Sequence, residues 1–157
     1  MNEAMIERWN SKVKKRDEVY HLGDVGITYK ENLEAILKRL NGKIYLIQGN
    51  HEGAAVQNRK YFEWIKDYHE LKVKDPDCSN GVQRIILFHY AMRVWRGDSR
   101  GNWHLYGHSH GNLPDLEDRL SFDVGVDCHD FYPLSYDEVK AIMQKKTWTP
   151  PGHKRDD

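Results

Sequence analysis

Residues 103–112 read "WHLYGHSHGN": an apolar stretch, Trp103 to Tyr106, that runs into Gly-His-Ser-His-Gly. Its composition predicts a short strand that stops at a glycine. If the backbone stays extended through the motif, His108 and His110 project to the same side. The flanking glycines keep the approach clear and permit a tight turn. The same design occurs three more times. "EVYHLGD" ends at Gly23-Asp24, "KIYLIQGNHE" at Gly49-Asn50-His51, and "VQRIILFHY" carries His89 near its end. Four apolar strands that each finish on a polar, metal-competent residue imply a sheet whose C-terminal edge carries a site, as open α/β sheets do.

Between these strands the pattern is helical. Met5, Ile6, Trp9 and Val13 share a face over residues 2–13, and Leu33, Ile36, Leu37 and Leu40 share one over 30–40 before Asn41-Gly42. Residues 55–66 are predicted to be helical from the weak anchors Val56, Phe62 and Ile65. "HELKVK" and residues 82–90 read as strands joined by the turn "DPDCSNG", and "RLSFDVGVD" as the last strand. The final helix carries a capping box, Ser135 and Glu138, with Leu134 and Val139 at staple positions. One domain is expected over residues 1–146 and a loose tail over 147–157. Alternating strands and helices give an α/β sandwich.

Bulk properties exclude some classes. Twenty-four Lys and Arg balance 24 Asp and Glu, so no net field draws the chain to nucleic acid or an acidic membrane. Mean hydropathy is −0.84, and no apolar run has membrane-spanning length. The two cysteines, Cys78 and Cys128, form no CxxC, and a cytoplasmic setting with reduced thiols is expected. The unusual count is nine histidines.

Asp24, Asn50, His51, His89, His108 and His110 thus reach one edge from four strands. Singly, a histidine ending a strand is usually structural, and Asp24 or Asn50 suits a turn. Together, imidazole nitrogens with carboxylate and amide oxygens suit borderline divalent metals: Mn, Fe, Ni or Zn. A thiolate zinc site is not expected. A carboxylate able to bridge two ions among imidazoles is the pattern of a two-metal hydrolase.

In order and spacing, "GDVG" (23–26), "GNHE" (49–52), "FHY" (88–90) and "GHSH" (107–110) resemble the calcineurin-like metallophosphoesterases, most of all the small bacterial and phage phosphoesterases. The resemblance implies a layered α/β/β/α sandwich and hydrolysis of a phosphomonoester or phosphodiester by a metal-bridging hydroxide. It implies that Asp24 bridges two ions, that Asn50, His89 and His108 complete one ion's ligands, and that His110 serves the other. It makes His51 the proton donor to the leaving oxygen rather than a ligand. One part of the pattern is missing. The family opens on a strand ending in Asp-x-His, and none occurs upstream of Asp24. The implied sites are therefore unequal. Either the natural start lies about one strand earlier, or this is a short form that binds metal and phosphate with weak or no turnover. An exposed strand edge is expected in its place.

Other residues carry weaker signals. Arg93, Arg96 and Arg100, in the loop from Met92 to Trp103, are positioned to contact substrate phosphate or simply to be solvated. Trp95 and Trp103 are expected to be packed, His69 and His104 structural, and His21 a core residue or a neighbour of the ligands.

Overall fold

The computed structural model describes residues 2–23, 30–50, 53–109, 111–130 and 132–151. Among these the chain is a mixed α/β protein with two sheets and four α-helices. The elements are α1 (Asn2–Lys12), β1 (Glu18–His21), α2 (Lys30–Leu37), β2 (Lys43–Ile47), α3 (Gly53–Gln57), β3 (Phe62–Lys66), β4 (Tyr68–Lys74), β5 (Val82–Phe88), β6 (Trp103–Tyr106), β7 (Ser121–Asp123) and α4 (Tyr136–Gln144).

The first sheet is parallel, in the order β1-β2-β3. The second runs β4-β5-β6-β7, with β4 antiparallel to β5 and the remaining pairs parallel. Side-chain alternation along β2 explains the layering. Ile44 and Leu46 pack with Trp9 and Val13 of α1, Leu33 and Leu37 of α2 and Ala55 of α3. Ile47 points the other way, joining Leu22, Ile85, Leu87, Leu105 and Phe122 between the sheets. Both Leu46 and Ile47 are fully buried, as expected for a strand covered on two faces. Val139 and Met143 of α4 complete the inter-sheet cluster.

α4 is fixed at both ends. Ser135 accepts from Glu138 N–H at 3.2 Å, and Glu138 accepts from Ser135 N–H at 3.1 Å, the capping box read from sequence. Its outer side is tied to the β4–β5 turn through buried Asp75. That carboxylate accepts from Tyr136 Oη at 2.5 Å and from Lys140 at 2.9 Å. The tyrosine hydroxyl, then the Lys140 ammonium and the Asp77 N–H, hold the Asp75 carboxyl at about 2.

Two expectations are corrected. Residues 55–66 are not one helix: α3 stops at Gln57, a 3-10 turn spans Arg59–Tyr61, and Phe62–Lys66 is a strand. "FEWIK" is rich in aromatic and β-branched side chains, and pairing with β2 decides its state. The tail is also docked at its start, because Thr147 N–H donates to Glu117 O at 2.8 Å and Trp148 packs on the inter-sheet cluster. No helix among the described residues is long and apolar enough to cross a membrane.

Candidate functional site

Three strand ends build the site. Asn50 lies just past β2, His89 follows β5 directly, and His108 follows β6 after Gly107. β5 and β6 are parallel, with Leu87 opposite Leu105, so their C-termini finish side by side. The chain after β6 turns at once rather than staying extended, so His108 is not aimed by strand alternation. Instead the Gly107 and His108 N–H groups both donate to His89 O, at 3.1 and 3.0 Å. That pair of bonds brings the two imidazoles together.

His89 is fully buried. Its Nδ1 lies 2.6 Å from Leu22 O at the end of β1. A carbonyl can only accept, so Nδ1 carries the proton, and in the neutral ring Nε2 presents its lone pair. Nε2 faces Asn50 Oδ1 at 3.1 Å and His108 Nδ1 at 3.1 Å. The third edge, His108 Nδ1 to Asn50 Oδ1, is 3.2 Å. Three atoms able to offer lone pairs thus form a nearly equilateral triangle that joins the two sheets. Atoms this close together would be able to share one small ion. The residues fit a borderline divalent metal in chemistry and in spacing. Leu22 O fixes the tautomer and ring plane of His89, the kind of outer contact a ligating histidine would need.

Glycine is required where these segments meet. Gly23 has φ +103°, and a Cβ there would lie 2.4 Å from His89 Nδ1 and 2.9 Å from Gly49 Cα. No side chain fits between β1 and the imidazole.

Asp24, His51 and His110 lie outside the described residues. Among the described residues no group of three or more His, Cys, Asp and Glu is placed to hold a metal; the set that converges is two histidines and an asparagine. Arg96 is paired with Glu70 at 3.0 Å. Arg100 lies in a 3-10 turn, Asp98–Arg100, and Arg93 is exposed in the same loop with its carbonyl accepting from Arg119. His104 is structural: fully buried, it contacts Ile86 O through Nδ1 at 3.0 Å and accepts Met92 N–H through Nε2 at 3.0 Å. Burial pushes its pKa down. His69 stacks on Tyr20 and meets Trp64 at a tilt, and Trp95 and Trp103 are buried. The Nδ1 of His21 accepts from Gly23 N–H at 3.2 Å, closing the turn after β1.

Sequence reading missed Tyr90. Its ring centroid lies 4.9 Å from that of His89 and 4.7 Å from that of His108, and 42% of the residue is exposed. It forms an accessible aromatic wall beside the donor triangle. Its position next to His89 in "FHY" was the available signal.

No family model matches the chain. The uncharacterized protein MJ1445 of Methanocaldococcus jannaschii is 28% identical over 152 residues, covering 92% of this chain and 76% of its own. The gene 66 protein of Mycobacterium phage D29 is 28% identical over 165 residues, with 88% and 81% covered. The crystal structure of a protein of unknown function from Aquifex aeolicus superposes with a TM-score of 0.62 at 20% identity, over 90% of this chain and 84% of that one. That likeness concerns the fold.

Proposed function

We propose that the chain is a cytoplasmic, calcineurin-like, metal-dependent phosphoesterase acting on a phosphomonoester or phosphodiester. The observation that supports this most is the convergence of Asn50 Oδ1, His89 Nε2 and His108 Nδ1 at the C-terminal edge of the two sheets. Asn50, His89 and His108 would hold one divalent ion with Asp24, and Asp24 and His110 would face a second. The bound ions would supply positive charge to the phosphoryl oxygens and lower the pKa of water. The chain's own groups do the rest. Leu22 O keeps His89 in the tautomer that ligates. His51 donates the proton to the departing alkoxide, which leaves poorly without one. Tyr90 offers its ring to the organic part of the ester. Cys78 and Cys128 are not joined in a disulfide, which is consistent with a reducing compartment.

A second reading keeps the metal and phosphate binding but not the turnover. It rests on the described donors that converge, Asn50, His89 and His108, a set sufficient for one ion. One experiment separates the two. The protein is loaded with Mn²⁺ and given bis-p-nitrophenyl phosphate and p-nitrophenyl phosphate. Hydrolysis of either ester that a chelator abolishes and Mn²⁺ restores supports the enzyme. Bound metal with no hydrolysis supports the binding module.

A further inference from the structure

We propose that the exposed face of the β4–β5 hairpin carries a second anion site, built for a compact ligand with two or more linked phosphates. It does not depend on the metal centre.

Strand register brings the first two cations together. Lys72 and Arg84 are directly opposed across the antiparallel β4–β5 pair, so their side chains leave the same face as neighbours. Glu70, two residues along β4, shares that face. The loop after β5 overhangs it and adds Arg96 and Arg100. Together they line a groove of about 510 Å³. Its lining has four cations and one carboxylate, Glu70, already bonded to Arg96 at 3.0 and 3.3 Å. In a chain whose charges balance overall, this is a local surplus. Among the described residues, Lys72, Arg84 and Arg100 take part in no ion pair.

The overhanging wall is built rather than loose. Asn102 N–H donates to Gly97 O at 3.1 Å and Asn102 Nδ2 to Arg96 O at 2.9 Å. Trp95 Nε1 donates to Asn102 O at 2.9 Å, and Gln83 Nε2 ties Gly101 O to β5 at 3.0 Å. The arginines therefore project from a fixed frame, which suits the forked recognition of phosphate oxygens.

The lining also narrows the ligand class. It contains no aromatic ring on which a base could stack, which disfavours single-stranded nucleic acid. Cations side by side match phosphates linked through one or two bridging oxygens. Along β5, Arg84 precedes His89 by five residues, about 16 Å of extended chain, so a small ligand here does not touch the donor triangle.

Calorimetric titration of the full chain with inorganic tripolyphosphate tests this, with orthophosphate as reference. Wild type is expected to bind tripolyphosphate at least about tenfold more tightly than orthophosphate. The double variant Lys72→Gln/Arg84→Gln, at exposed positions, should weaken binding tenfold or more. Arg100→Gln, on a different element, should weaken it severalfold. Dialysis against a chelator should leave the affinity unchanged. Binding unaltered in both variants overturns the proposal. So does binding lost on chelation, which would assign it to the metal centre. Equal affinity for orthophosphate also refutes it, as does binding of a thymidine dodecamer that needs Lys72 and Arg84 while tripolyphosphate does not bind.

Discussion

Replacing Gly23 by alanine adds one methyl group at the tightest point of the molecule. The new Cβ would sit 2.4 Å from His89 Nδ1 and 2.9 Å from both Gly49 N and Gly49 Cα, on a backbone with φ +103°. The left-handed conformation alone costs about 1–3 kcal/mol for a residue with a side chain. Overpacking adds about 1–3 kcal/mol more, since Gly49 is backbone and the His89 ring is buried. A total of about 2–6 kcal/mol lowers the melting temperature of a domain this size by roughly 4–24 °C. The functional effect is separate. The ring can escape the methyl group only by leaving Leu22 O, which fixes its tautomer, and that moves Nε2 away from Asn50 and His108. Metal affinity should fall about 10–100-fold, the usual loss when a ligand's outer contact is removed. Gly53→Ala is the control: a Cβ there meets nothing within 4 Å, and the residue is helical. It should be neutral or stabilising by up to about 1 kcal/mol. Calorimetry and metal analysis after dialysis read both effects. A Gly23→Ala protein with wild-type melting temperature and metal content would refute the reasoning.

Three further outcomes can be measured on single variants. His51→Ala should keep bound metal and lower turnover by about 10²–10⁴; equal loss of metal would make His51 a ligand. Asp75→Asn should lower the melting temperature at pH 7. The folded carboxyl, at about 2, lies below its unfolded value near 3.9. Its stabilisation is therefore full above about pH 4 and disappears as pH falls toward 2, where melting curves of variant and wild type should converge. Because burial lowers the His104 pKa, the neutral ring's stabilisation is full above its unfolded value near 6.5 and declines below it. His104→Ala should cost about 3–5 kcal/mol, through the cavity and the unpaired Met92 N–H, as chemical denaturation would read.

The sequence made several strands legible because each is an apolar run closed by a polar residue, with a glycine beside it after β1, β2 and β6. β2, β5 and β6 all stand where that pattern put them. α4 was legible through its cap, a local device. β3 was not. Phe62 and Ile65 are three apart, a helical spacing, and only parallel pairing with β2 makes that segment extended. Asn50, His89 and His108 were legible as a set because parallel strands deliver their ends to one edge. The means of delivery was not, since the turn at His108 depends on bonds to His89 O, a residue far back in the chain. The Lys72–Arg84 face was invisible for a similar reason: cross-strand register, not sequence proximity, makes those two neighbours.

We propose above all that Asn50, His89 and His108 share a divalent ion. Crystals soaked in Mn²⁺ and measured at a wavelength where manganese scatters anomalously test it directly. An anomalous peak is expected about 2.1–2.3 Å from Asn50 Oδ1, His89 Nε2 and His108 Nδ1 together. A map with no peak there, or with the peak elsewhere and the three side chains bonded only to one another, would contradict it.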